Sequence, residues 1–516
     1  MPVNPTYPGI YIEELPSSTR TITAAPTSIA VVVGYTHPFK TKTKNFNKAV
    51  RVFNFTEYER EFGGFYQCDV VTADVAYAVE QFFLNGGSDA YVVGLDPDLS
   101  AAQGTLGGIQ FTALEPTDLD TTHITVTISN VQSSNPSDPP LNDIADITVV
   151  YGSSGLRAET FRQVTLDKNK PNFIEKRING VSTLVKVAPP TQASYPIKFS
   201  EPPPTSLTLS TNSVLSVFKK EPFLKVFQPD HDLDKVPIFN LLLIPGVADN
   251  TIWTAALIFC ERKQAFLILD PPKDACADTS SDSLNLMETL MLSDAIVPKS
   301  TNGAIYFPYL KSTNPLTGNP IELPPSGFVA GIYARTDSNR GVWKAPAGLE
   351  TVIMNTTGVV ERGKMTDPRQ GTLNIVGVNC LRAFPGIGTV VYGARTLVSS
   401  NPARQQWKYV PVRRIALFIE QTLLRNLGWV VFEPNDEPLW AAIRTSIQGF
   451  MLSLFTQGAF QGSTPSQAFQ VKCDKSTTTQ QDIDNGIVNI VVAFAPLKPA
   501  EFVIVKIAQL AGQVQA

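Results

Sequence analysis

The stretch from Asn379 to about Gln509 limits the fold more than any other part of the chain. It contains two amphipathic helical patterns, joined by a short strand and followed by two apolar strand runs. Between Val412 and Asn426, the residues Ile415, Phe418, Ile419, Thr422 and Leu423 recur at helical spacing and mark one buried face. A second helix is predicted after Asn435, with Asp436 as its N-cap and Pro438 in its first turn. Its apolar stripe is Trp440, Ile443, Ile447, Phe450, Met451 and Leu454, and Gly458 is suited to end it. The run Ile487 to Phe494 is nearly all apolar and reads as a strand buried on both faces. Ala495-Pro496-Leu497-Lys498-Pro499 cannot form a tight hairpin, because two prolines make it a stiff extended connector. Phe502 to Ile507 is again β-prone and apolar. Spacing alone leaves two readings open for it: a last strand in its own sheet, or a strand that pairs with another chain.

At 516 residues the chain is too long for a single core, and two to four domains are expected. Only 17% of residues are charged, which leaves more uncharged surface for contacts with partners. A net charge of −4 with no basic stripe argues against nucleic-acid binding. Five widely spaced cysteines, Cys68, Cys260, Cys276, Cys380 and Cys473, read as reduced core residues of a chain made in a reducing compartment. The opening MPVNPTYPG is unlike a signal peptide, and no apolar run approaches a membrane span.

Residues 1–28 read as an extended arm with a β-prone piece at Ile10, Tyr11 and Ile12. Residues 29–95 read as an α/β unit: a buried strand at Ile29 to Gly34, helices at Phe55 to Phe62 and Thr72 to Leu84, and a strand at Ala90 to Val93. From Asp96 the chain turns β-rich, with alternating runs at Ile124 to Ile128 and Ile147 to Tyr151. Further β-prone pieces follow at Phe161 to Leu166, Phe173 to Ile178 and Ser182 to Val187. We expect 96–205 to be a β-rich module inserted into the α/β pattern, which resumes after Pro202-Pro203-Pro204. Phe239 to Pro245, Asp249 to Arg262 and Ala265 to Asp270 then form a βαβ unit with parallel strands. A helix at Leu284 to Leu292, a strand at Gly303 to Phe307 and a mixed loop and helix over Pro324 to Ala347 complete the middle region.

Residues that carry chemistry are sparse. Gly358 to Met365 nearly matches a phosphate-binding loop, but Met365 stands where a metal-binding hydroxyl belongs, and Asp367-Pro368 is expected to block the helix that would follow. Gly386-Ile387-Gly388 leads into a β-prone run and reads as a turn before a strand. His37, His123 and His231 are scattered, each in a loop-like or exposed setting without a ligand-spaced partner. The loop Ile244 to Asn250 ends a parallel strand, where α/β enzymes bind ligands, and reads either as a binding edge or as a turn with Asp249 as helix N-cap. Arg413, Arg414, Arg425 and Arg444 lie on the terminal helices, either as a solvated face or as charges that register a partner. No catalytic residue, cofactor or metal site is expected.

Several motifs together resemble the contractile tail sheath family of myophages, R-type pyocins and phage-tail-like contractile injection systems. They are Asn379 to Arg382, Gly386 to Arg395, Tyr409 to Arg414, Phe432 to Asn435 and Lys498 to Phe502, in that order. Pro5 to Glu14, Asn85 to Val93 and Pro325 to Ala347 agree, and the likeness is weakest over about 96–235. The resemblance implies a mixed α/β multidomain fold and a structural, non-enzymatic subunit. Its inner domain would join 29–95 with 345–497, carry 96–205 and an α/β domain at 206–344 outside it, and end in arms at 1–28 and 498–516. Copies would stack as hexameric rings around an inner tube protein, with baseplate and terminator proteins at the ends, and contract to drive the tube through a target membrane. Assembly would take place in the bacterial cytoplasm, as part of a phage tail or of a particle released from the cell. The family's intersubunit strands map onto Ile10, Tyr11 and Ile12 and onto Phe502, Val503, Ile504, Val505 and Ile507. Pro496 and Pro499 would act as hinges, and Arg413, Arg414, Arg425 and Arg444 as candidate tube contacts. An α/β enzyme, or another tail or baseplate protein, is the alternative reading.

Overall fold

The computed structural model describes residues 21–66, 74–98, 100–117, 122–133, 142–153, 155, 157–188, 199, 205–210, 219–277, 283–293, 296–360 and 365–506. Ile10, Tyr11 and Ile12, expected to form a strand, and Ile507 at the other end lie outside them. The fold is mixed α/β and divides into a larger unit (27–335 with 346–405) and a smaller one (1–26, 336–345 and 406–516).

The larger unit is built on an eight-stranded sheet. In spatial order its strands are Gly388–Val391, Val378–Phe384, Gly303–Phe307, Phe266–Leu269, Leu241–Leu243, Ala30–Tyr35, Ala90–Leu95 and Ala49–Val52. The inner pairings are parallel, and the two outermost strands run antiparallel. Runs such as AVVVGY and FLIL are buried at every position, as parallel strands covered on both faces must be. The βαβ unit is as expected, with the helix Asn250–Lys263 between parallel strands. The division drawn from sequence does not follow this sheet. Ala30–Tyr35 pairs with both Ala90–Leu95 and Leu241–Leu243, so 29–95 and 206–344 share one sheet. A buried interior strand needs hydrogen-bonding neighbours along both edges, and the two stretches supply them to each other.

The helices Asp74–Leu84 and Ser326–Arg340 approach each other closely. A Cβ on Gly331 would lie 2.5 Å from the Cβ of Asn85, and one on Gly327 would lie 2.5 Å from the carbonyl oxygen of Ala78. This explains the small residues in the PSGFVAG stretch.

The β-rich insertion has its own core, which includes Ile109, Phe111, Val126, Ile147 and Val149. One sheet joins Gln103–Leu106, Ile109–Ala113 and Val185–Ala188, and a second joins Thr205–Leu209, Ile124–Gln132, Ile144–Tyr151 and Arg157–Thr165. Thr205–Leu209 pairs with Ile124–Ile128, so the module extends past the boundary at 205. The piece Phe173 to Ile178, expected to be a strand, is a short helix, Ile174–Ile178. Its two buried isoleucines stand four residues apart, which a helix places on one face.

In the smaller unit the helices Val410–Asn426 and Glu437–Thr456 pack through Ile415, Phe418, Trp440, Ile443, Ile447 and Phe450. The Asp436 carboxylate accepts from the Leu439 N–H at 3.3 Å and caps the second helix as expected. The expected strand between the helices is absent. A single 3-10 turn, Gly428–Val430, takes its place, and Phe432 beyond it has φ 70°. The run Ile487 to Phe494 is not buried on both faces either. Only Val491–Phe494 is a strand, paired with Phe469–Lys472 in a two-stranded hairpin, and Ile487 is 44% exposed. A lone hairpin laid on a helix pair covers one face and leaves the other to solvent.

Candidate intersubunit surface

The connector 495–501 is held at its two ends. Ala495 donates its N–H to the Ala468 carbonyl and accepts from the Gln461 N–H, both at 2.8 Å. Pro496 forms a bridge with Phe460, and the Tyr409 hydroxyl donates to Glu501 Oε2 at 3.1 Å. Beyond this tether, Phe502, Val503, Ile504 and Val505 are 72–83% exposed and belong to no strand. Four consecutive apolar side chains are therefore left largely exposed on the subunit.

The four arginines differ in setting. Arg414 is buried and donates through Nη1 and Nη2 to Asp337 at 2.8 and 2.6 Å. It is removed from the candidate partner contacts, because its guanidinium points into the unit. Arg413 lies over the Trp407 ring at 5.0 Å and pairs with Glu420 at 3.1 Å. Arg444 pairs with Glu437 at 2.7 Å and donates to the Cys473 carbonyl. Arg425, in the last turn of its helix, is exposed.

The larger unit holds two ionic centres that the sequence reading did not find. His37, taken as a loop residue, is wholly buried, and its Nε2 lies 3.3 Å from Glu115. The same carboxylate accepts from Lys40 Nζ at 2.7 Å and from Arg157 at 3.2 Å. Burial raises the pKa of the Glu115 carboxyl, but His37 and Lys40 outweigh it and hold it down at about 2. Burial also lowers the His37 pKa, against the pull of Glu115. His123 and His231 are half-buried.

The second centre is Asp270, at the end of Phe266–Leu269. Its Oδ1 accepts from the Ser326 N–H at 2.7 Å, and its Oδ2 accepts from the Ser326 hydroxyl at 2.7 Å and the Gly246 N–H at 3.0 Å. Complete burial, with the charge of Asp74 adding to it, pushes the Asp270 carboxyl up to about 7 despite these bonds. Nearby Asp249 caps the Asn250–Lys263 helix through the N–H groups of Thr251 and Ile252, as expected. A polar residue closing an apolar strand was the one legible signal for Asp270. Glu115 lay in a loop with no pattern to mark it.

Of the two glycine motifs, the one at Gly386 is a turn before a strand, as expected. Gly386 and Gly388 turn the chain between the antiparallel strands Val378–Phe384 and Gly388–Val391. In the other motif, Gly358–Val359 is a short strand, and 361–364 lie outside the described residues. Asp367-Pro368 begins the helix Asp367–Ile375 instead of blocking it, since a first-turn proline forfeits no helical hydrogen bond. Among the described residues no group of three or more His, Cys, Asp or Glu side chains could hold a metal ion. None of their helices is long and apolar enough to cross a membrane. Cys260, Cys380 and Cys473 are buried and form no disulfide.

Residues 236–397 match the phage tail sheath protein central domain, and 403–509 match the phage tail sheath C-terminal domain. The chain belongs to the contractile tail sheath family. It is 26% identical over 182 residues to the tail sheath protein of Vibrio phage KVP40, a match covering 35% of this chain and 25% of that protein. The helical sheath of the anti-feeding prophage in its contracted state superimposes with a TM-score of 0.58 at 24% identity, covering 98% of this chain and 99% of that one. The sheath of the extracellular contractile injection system PVC, also contracted, gives 0.57 at 22% identity, covering 98% of each chain. These likenesses establish a multidomain tail sheath fold.

Proposed function

We propose that this tail sheath protein is a structural, non-enzymatic subunit that polymerises as stacked hexameric rings around an inner tube. Contraction of the sleeve then drives the tube through a target membrane, with baseplate and terminator proteins at the two ends. Assembly takes place in the bacterial cytoplasm. The observation that carries the reading is the uncovered segment Phe502–Val505 beyond a tethered connector. An exposed apolar strand is an aggregation hazard unless a defined partner pairs with it. A neighbour's sheet edge provides main-chain hydrogen bonds and apolar cover together. Pro496 and Pro499 act as hinges that let rigid bodies move while the strand stays paired. Ile10, Tyr11 and Ile12 supply a second strand from the other end of the chain.

Negative-stain microscopy of expressed protein, alone and with its tube protein, tests this. Striated tubes or rings are expected from the full chain. A variant ending at Leu497 should keep the circular dichroism of the full chain and form none. If that variant unfolds, the segment belongs to its own subunit's core; if it builds normal sheaths, the link lies elsewhere. On the tube side, Arg425 is the arginine best placed to reach an acidic surface, with Arg413 and Arg444 already paired. Arg425→Glu should slow sheath growth around tubes at low salt and leave solubility unchanged.

A further inference from the structure

Phe432 has φ 70° and a fully exposed side chain, at 102%. A bulky residue in the left-handed region is strained, and an exposed aromatic ring gains nothing from its own subunit to offset that strain. Val431 at 62% and Leu424 at 71% extend the apolar patch. The segment is nonetheless well braced. The Asn435 side chain accepts from the Trp440 indole N–H at 2.8 Å and donates to the Ile487 carbonyl at 3.0 Å. The Asp436 N–H donates to the Pro434 carbonyl and that of Glu433 to the Val430 carbonyl. An apolar tip fixed in place by its supports has the character of an interface anchor, which loses little freedom on binding.

We propose that Phe432 is a docking knob that a second copy of this chain covers. This rests on the self-assembly reading above. The Asn435–Ile487 bond ties the loop that carries the knob to the stretch that runs into Val491–Phe494, a strand of a two-stranded sheet. Ile487 at 44% and Val491 at 49% exposure add apolar surface within the same unit. The same chain carries the uncovered segment Phe502–Val505, so a neighbour brings the apolar surface that the knob lacks. The exposed charges beside the knob, Arg425 and Glu433, are of opposite sign and select neither a strongly acidic nor a strongly basic partner.

The test uses the full chain. Phe432→Gly removes the ring and relieves the strained φ, so its melting temperature should equal or exceed the wild type's. Its threshold concentration for forming sheaths should rise at least tenfold, and Phe432→Tyr should restore most of the loss. A photo-crosslinking phenylalanine analogue at 432, irradiated in assembled particles, should give an adduct of twice the chain mass. If Phe432→Gly assembles at the wild-type concentration while the wild type forms sheaths, the knob is refuted and the sheath reading stands. An adduct formed only with a different protein refutes the second copy as occupant. A wild-type chain that never polymerises overturns both.

Discussion

Arg414 grips Asp337 through two hydrogen bonds of 2.8 and 2.6 Å across 77 positions of sequence, with both side chains nearly inaccessible to water. The pair ties the 336–345 segment to the Val410–Asn426 helix within the smaller unit. Removing one member leaves an unpaired buried charge, at a cost of about 3–5 kcal/mol. Asp337→Asn and Arg414→Met should each lower the denaturant midpoint sharply, while the double variant Asp337→Leu/Arg414→Met recovers much of the loss. Single variants with wild-type midpoints would show that the pair is solvated.

The Glu115 centre predicts acid sensitivity. A carboxyl held at about 2, against an ordinary 4.5, contributes stability that is complete above 4.5 and is lost as pH falls towards 2. His37, also shifted down, acts in the same direction. Glu115→Gln should destabilise the protein at neutral pH by more than about 2 kcal/mol and flatten its acid unfolding curve. Urea midpoints measured from pH 6 down to pH 3 check this, and parallel curves for the two proteins would contradict it.

Asp270 has the opposite sign. Its carboxyl is raised to about 7 from an ordinary 3.8, so its contribution is complete below 3.8 and is lost as pH rises through about 7. Relative to a protein lacking this carboxyl, the wild-type melting temperature should therefore decline between about pH 4 and 7. Asp270→Asn, which cannot ionise, should lack that decline even if its melting temperature is lower throughout. Identical slopes would mean that the carboxylate is stabilised as an anion by Ser326 and Gly246.

The β-rich insertion is predicted to be dispensable for folding. Its core is its own, and its last strand, Thr205–Leu209, closes its second sheet. Replacing 97–218 by a short Gly/Ser bridge should leave a soluble protein with a cooperative melt, though with His37 and Lys40 uncovered. Paired with Glu115→Gln, the deletion separates the module's folding from its attachment. Complete loss of soluble protein would mean that the module is part of the larger unit's core.

The sequence by itself determined the elements whose physics is local. Helix faces at Ile415, Phe418, Ile443 and Phe450, the caps at Asp249 and Asp436, and the all-apolar parallel strands were legible, because periodicity and capping act within a few residues. The βαβ unit followed from the same signals. The order of the large sheet was decided by tertiary structure, since any buried strand can lie beside any other until packing selects. The same holds for Arg414 with Asp337, Glu115 with His37, and Asp270 with Ser326. A charge on a helix reads as solvated until a partner far along the chain turns it inward. The strand run Ile487 to Phe494 failed for a related reason: hydrophobicity states what a side chain prefers, while only the assembled sheet states whether a second face exists to cover it.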